Sequence, residues 1–179
     1  MPMGPFTLLD EIGLDTANHA AGVLEGAFGK RIGGGNSVLG SVVASGRSGV
    51  KNGKGFYRYK NGRRIGPDPA IPKMAGAPPP REIPVETLQE RMVLAMVNEA
   101  AVCLEDGVAR SPRDVDIAMV FGTGFPPFRG GLLRYADTLG IPVLTDRLSR
   151  LADAHGERFR PAQMLREMVR EERRFYPGA

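Results

Sequence analysis

From Phe6 onward, apolar residues recur about every 3.6 positions, the spacing of a helix with one buried face. Phe6, Leu8, Leu9 and Ile12 make the first such stripe, in a helix that begins near residue 5. Ala17, Ala20, Ala21, Leu24 and Phe28 make the second, and Asp15 is placed to cap it. Gly33-Gly-Gly-Asn36 breaks the chain before a short helix over about Val38–Ala44 that ends near Gly46. The longest pattern runs from about Val85 to Asp106, with Leu88, Met92, Ala95, Met96, Ala100, Cys103 and Leu104 on one face, and Gly107 ends it. Ser111-Pro112-Arg113-Asp114 is a strong helix start: a hydroxyl cap, a proline where no N–H is needed, and an acid in the first turn. That helix carries Val115, Ala118 and Met119 and gives way to a loop over Phe121–Gly131. Further helices are expected over about Leu132–Leu139, Pro142–Ala154 and Pro161–Arg173.

The helical pattern fails in two places. Residues 49–59 pass from glycine-rich chain to an alternating aromatic run, Phe56, Tyr57 and Tyr59, and Asn61-Gly62 supplies a tight turn, so a small β-hairpin is expected. Pro67, Pro69, Pro72 and Pro78-Pro79-Pro80 then favour extended chain over regular helix. The expected fold class is all-α: a helical unit with a hairpin over 1–66, a Pro-rich linker over 67–84, and a second helical unit over 85–179. A repeat supports the pairing of units. Gly4, Asp10 and Gly13 match Gly131, Asp137 and Gly140 at a constant offset, as expected of a duplicated element. Asp10 and Asp137, each three residues before a glycine, are expected to bond nearby backbone and fix a turn.

Composition narrows the classes. Hydrophobic residues are 42% and charged residues 25% of the 179, within the globular range. No apolar run is long enough to span a bilayer, and the N-terminus lacks the basic and apolar regions of a secretory signal. The single cysteine, Cys103, excludes an internal disulfide; it falls in an apolar helical pattern, where a buried thiol and a reducing, cytoplasmic setting are expected. The net charge is +4 and most basic residues are arginines; those near residues 166–174 are interleaved with glutamates, a solvated helix face and not a nucleic-acid footprint.

Candidate chemistry is sparse. Gly49-x-x-x-Gly53-Lys54-Gly55 has a glycine where a phosphate loop needs a hydroxyl, and an aromatic strand follows where a helix should. His19 and His155 lack metal-ligand spacing and a carboxylate partner, so no metal site is expected. Asn98-Glu99 interrupts an apolar stripe; buried polar groups need partners, so a bond to a neighbouring helix or to the Phe121 loop is expected.

Asn98-Glu99, Ser111–Asp114, the Phe121-Gly-Thr-Gly-Phe-Pro-Pro-Phe-Arg-Gly-Gly131 stretch, Asp137-Thr-Leu-Gly140 and the Lys51-x-Gly-x-Gly-Phe-x-x-Tyr59 segment together resemble the C-terminal helical domains of 3-hydroxyacyl-CoA dehydrogenases. The form resembled is the multifunctional α subunit of the fatty-acid oxidation complex. The resemblance implies two tandem units like the 6-phosphogluconate dehydrogenase C-terminal fold. It implies a parent enzyme that oxidises a 3-hydroxyacyl-CoA to a 3-oxoacyl-CoA and passes hydride to NAD. In that family the His–Glu pair and the dinucleotide loop belong to a nucleotide-binding domain, and nothing in this sequence matches them. No catalytic or cofactor-binding residue is therefore assigned; NAD belongs to the parent, and this chain alone is expected to be inactive. The implied contributions are part of the acyl-CoA pocket, the contact with the missing nucleotide-binding domain, and a subunit contact that includes a homodimer. Phe121 and Gly122 are the implied substrate contacts, with Phe121 where some relatives carry tyrosine. Asn98 is the second-copy counterpart of a substrate-binding asparagine and is expected to be vestigial. Because the chain opens inside a core helix of that family, it is expected to be a C-terminal fragment or a separately encoded piece. Two other readings stay open: a non-catalytic helical interaction module, and a helical nucleic-acid-binding protein.

Overall fold

The computed structural model describes residues 3–29, 38–76 and 82–178; the expectations for Gly33–Asn36 and Pro78–Pro80 lie outside the described residues. The chain divides into two units, residues 2–81 and 82–179. Among the described residues the structure is mostly helical, with one two-stranded sheet.

The first unit holds α1 (Pro5–Ile12), α2 (Leu14–Phe28), α3 (Val38–Ala44), β1 (Tyr57–Lys60), β2 (Arg63–Pro67) and α4 (Ile71–Met74). Gly13 ends α1 and starts α2 in a single residue, at φ 95° and ψ 128°, a conformation open to glycine alone. Asp15 is consequently not the cap of α2. It lies inside the first turn, where its carboxylate accepts from Lys51 Nζ at 2.9 Å. The hairpin pairs Lys60 with Arg63 across Asn61 and Gly62, both at positive φ, which matches the right-handed twist of the strands. The proline-rich stretch does not exclude helix as expected: Pro72 sits in the first turn of α4, where its missing N–H costs nothing.

The apolar core of this unit is small: Leu14, Val42 and Phe56 are buried, with Leu9, Leu39, Val43, Tyr57 and Ile71 packed partly against them. Polar bonds carry correspondingly more of its specificity. Asp10 is fully buried and accepts from Phe56 N–H and Tyr57 N–H at 2.9 Å each and from the Tyr59 hydroxyl at 3.0 Å. The expectation of a nearby backbone partner is corrected: Asp10 ties α1 to the hairpin, 46 and 47 residues further along. Burial, then the bond to Asp10, holds the Tyr59 hydroxyl well above the ordinary tyrosine range. Arg47 and Asp68 form a second buried tie, at 2.8 Å. Burial alone would raise the Asp68 carboxyl, but the Ala70 N–H and the Arg47 guanidinium outweigh it and hold the group below the usual carboxylate value.

The second unit holds α5 (Val85–Glu105), α6 (Pro112–Thr123), α7 (Leu132–Leu139), α8 (Ile141–His155) and α9 (Gln163–Arg170). Its core is larger and follows the helical period: Leu94, Val97 and Ala101 on α5, Leu132, Leu133 and Ala136 on α7, Ile141, Leu144 and Leu148 on α8, Leu165 and Met168 on α9. Ser111 caps α6 as expected, its hydroxyl accepting from Asp114 N–H at 3.2 Å. Two boundaries differ. The last helix stops at Arg170, short of Arg173, and the chain turns through Glu172 at φ 52°. Helix α6 runs on to Thr123, so Phe121 and Gly122 are helical and the expected loop starts only at Gly124, which closes α6 at φ 69°.

The repeat is physical at two of its three positions. Gly140 joins α7 to α8 at φ 87° and ψ 123°, the conformation of Gly13. Asp137 accepts from Phe175 N–H at 3.0 Å and Tyr176 N–H at 2.9 Å, as Asp10 does from Phe56 and Tyr57. In both units an aspartate near the end of one helix clamps the backbone of a distant Phe-Tyr pair. Gly4 and Gly131 do not match: φ is −72° at the first and 121° at the second.

Candidate functional site

The site in the second unit is built around a carboxylate that the sequence pattern does not single out. Asp116 lies on the inward face of α6, beside Val115, and is buried. Its Oδ1 accepts from Leu133 N–H at 2.6 Å, and its Oδ2 accepts from Arg134 N–H at 3.2 Å. These are free amides of the first turn of α7, so α6 caps α7 from outside with a full negative charge. The third donor is the Tyr176 hydroxyl, at 2.7 Å. Gly131 is what allows the approach: at φ 121°, a Cβ there would lie 2.3 Å from the Asp116 carboxyl carbon.

Tyr176 is thus held twice, its hydroxyl by Asp116 and its backbone by Asp137. Burial, then the bond to Asp116, pushes its hydroxyl well above the ordinary tyrosine range, although the Arg134 charge opposes this. The phenol stays protonated at neutral pH, and both oxygens of Asp116 already accept hydrogen bonds, three in all. Arg134 lays its guanidinium over the Tyr176 ring, 3.9 Å from the centroid. A surface hollow of about 500 Å³ opens over these groups, bounded by Arg113, Phe121 and Pro127. Phe121 is 86% exposed at its edge. Such a site can bind, orient and neutralise an anion, but it offers no free base and no nucleophile.

Gly122, named with Phe121 as a substrate contact, does not line this hollow; open space surrounds the position its Cβ would take. Asn98 is buried and structural, though its partner is neither the Phe121 loop nor the body of a helix. Its Nδ2 donates to Arg160 O at 2.9 Å and its Oδ1 accepts from Ala162 N–H at 2.8 Å, which pins the chain entering α9. Glu99 points elsewhere, into an apolar hollow of about 880 Å³ between α5 and α6 that Met96, Val115 and Met119 also line. Cys103 lines the same hollow and is half-buried, not fully buried as expected. His19 and His155 are both exposed. Among the described residues no cluster of three potential metal ligands occurs, and no helix is long and apolar enough to cross a membrane.

Two signals in the sequence point to what was missed. Asp116 is an acid on the buried face of an amphipathic helix. Phe175-Tyr176 repeats Phe56-Tyr57, so extending the glycine–aspartate repeat to its bonding partners finds Tyr176.

A family model described as "3-hydroxyacyl-CoA dehydrogenase, C-terminal domain" matches residues 1–59 and 88–175. Among solved structures, the chain resembles the dehydrogenase part of multifunctional enzyme 1 from C. elegans, at 24% identity and a TM-score of 0.66, over 93% of this chain and 38% of that one. It also resembles 3-hydroxybutyryl-CoA dehydrogenase from Escherichia coli K12, at 21% identity and a TM-score of 0.68, over 96% of this chain and 52% of that one. These likenesses establish the fold. The chain spans 38% and 52% of the lengths of the two proteins.

Proposed function

We propose that this chain, which belongs to the 3-hydroxyacyl-CoA dehydrogenase C-terminal domain family, works as the helical C-terminal portion of an NAD-dependent 3-hydroxyacyl-CoA dehydrogenase of fatty-acid oxidation. The observation that carries the reading is the family match in both units, on residues 1–59 and 88–175. The parent reaction removes hydride from C3 of a 3-hydroxyacyl-CoA and a proton from its hydroxyl, leaving the 3-oxoacyl-CoA and NADH. The groups for those steps belong to a nucleotide-binding portion. What this chain offers is binding surface: Phe121 as a substrate contact, and the apolar hollow between α5 and α6 as a wall compatible with an acyl chain. The test is NADH-dependent reduction of acetoacetyl-CoA. The pure 179-residue chain is expected to fold, by circular dichroism, and to give no turnover. Clear turnover by the chain alone overturns this division of labour.

The subunit or domain contact is assigned to α1. Phe6, Leu8 and Ile12 are 52%, 50% and 47% exposed, while Leu9 packs inward. The repeat shows how such a face is normally covered: Leu133, the counterpart of Phe6, is fully buried in a core that α5 and α6 supply. An apolar stripe of this kind marks an interaction surface. By itself the chain is expected to self-associate through it. Light scattering over a concentration series should show dimer for the native chain and monomer for Leu8→Glu. A native chain that stays monomeric at the highest concentrations removes α1 as a contact.

A further inference from the structure

The hollow over Arg113, Arg134 and Phe121 carries a pair of guanidinium groups that the acyl contact assigned to Phe121 does not use. We propose that it is a binding site for a nucleotide-type ligand, with the phosphate on the two guanidinium groups and the base stacked on Phe121.

Three observations carry this. The first is unpaired positive charge. Among the described residues neither Arg113 nor Arg134 has a carboxylate within ion-pair distance, although eight other ion pairs are formed. The acid in the lining, Asp116, is already occupied by two backbone N–H groups and the Tyr176 hydroxyl, and so does not turn outward to either arginine. The second is preorganisation. The Arg134 guanidinium carbon lies over the Tyr176 ring, 3.9 Å from its centroid, and that ring is fixed at its hydroxyl and at its backbone. A guanidinium fixed by stacking keeps its forked donors free, and that fork fits phosphate oxygens in pairs. The third is the rim. Phe121 is 86% exposed, and Ile117, Val120 and Pro127 continue its apolar surface into the hollow. An exposed ring beside cationic groups is the arrangement that stacks a base while its phosphate is neutralised. The volume of about 500 Å³ is in the range of small-molecule sites.

The inference shares Phe121 with the proposed substrate contact but needs neither an acyl chain nor catalysis, and its failure leaves the family assignment untouched. Calorimetric titration of the native chain with adenosine monophosphate, adenosine and inorganic phosphate tests it. The monophosphate is expected to bind more tightly than either half alone, and to weaken as salt rises. Arg134→Ala and Arg113→Ala should each cost about tenfold in affinity, as expected for loss of one charged phosphate contact at an open site. Phe121→Ala should cost about tenfold for the monophosphate and leave inorganic phosphate unchanged. Arg113 is exposed, so Arg113→Glu keeps the fold, checked by circular dichroism, and should abolish binding. The proposal is overturned by no binding at millimolar ligand, by equal affinity in native chain and Arg113→Glu, or by a monophosphate that binds no better than phosphate.

Discussion

Asp10→Asn should unfold the first unit selectively, at a cost of about 2–4 kcal/mol. The aspartate is fully buried and accepts three hydrogen bonds, two of them from backbone amides that have no other acceptor within the clamp. Asparagine keeps one acceptor oxygen. Its NH₂ group then faces either Phe56 N–H or Tyr57 N–H, donor against donor, and the charge that strengthened the bonds is gone. Each buried donor left without a partner costs about 1–3 kcal/mol. Among the described residues this unit has little apolar burial to absorb the loss, since the fully buried apolar side chains there are Leu14 and Val42. Asp137→Asn removes the equivalent acceptor in the second unit, where Phe175 and Tyr176 are clamped. There the large core across α5, α7, α8 and α9 remains, so the expected effect is detachment of the tail, about 1–3 kcal/mol, with the helices intact. Amide hydrogen exchange resolves the two units where a single melting curve does not. The exchange of Phe56 and Tyr57 should rise to the rate of a globally opened unit in Asp10→Asn, and that of the α5 amides should not. Native protection at Phe56 and Tyr57 in Asp10→Asn would remove the clamp as a source of stability.

The clamp also shows how far the sequence can be read. The helices were legible because their apolar positions keep a constant period, and the starts at Ser111 and the turn at Asn61-Gly62 because those residues have strong local preferences. The repeat was legible as spacing. Its meaning was not, because the partners of Asp10 lie 46 and 47 residues away and a backbone N–H has no residue identity to read. Local preference places Asp10 and Asp137 in their own turns, where short acids commonly bond; tertiary contact gives them the hairpin and the tail instead. Asp15 failed for a related reason. A glycine at positive φ can end one helix and begin the next with no capping side chain, which leaves the nearby acid to a lysine.

The candidate site divides the same way. Phe121 was singled out by resemblance, and the structure places it at the edge of a hollow. The other groups there come from three separate segments: Arg113 and Asp116 from α6, Arg134 from α7, Tyr176 from the tail. None stands at a spacing that marks chemistry, and only folding joins them. The extension of α6 through Phe121 and Gly122 was hidden by the glycines that follow, since Gly122 and Gly124 read as loop residues although Gly122 is inside the helix.

The glycines at the matched positions 4 and 131 should respond to the same substitution in opposite ways. Gly131→Ala is expected to cost about 2–5 kcal/mol, the sum of a left-handed backbone that alanine resists and a collision that the core cannot relieve. At φ 121° its new methyl would lie 2.3 Å from the Asp116 carboxyl carbon and 2.4 Å from Asp116 Cβ. Relief requires Asp116 to withdraw, and withdrawal frees Leu133 N–H, Arg134 N–H and the Tyr176 hydroxyl together. The damage would therefore reach the start of α7 and the tail at once. Gly4 has φ −72° and nothing within 4 Å of its Cβ position. Gly4→Ala is expected to be neutral or to stabilise by up to about 1 kcal/mol, because alanine restricts the unfolded chain more than glycine does. Urea midpoints with hydrogen exchange at Leu133 and Arg134 measure both. A Gly131→Ala chain with a native midpoint and native protection at those amides would mean that Asp116 does not hold α7. Gly4→Ala losing as much as Gly131→Ala would mean that the two positions are equivalent after all, against the difference in their backbone angles.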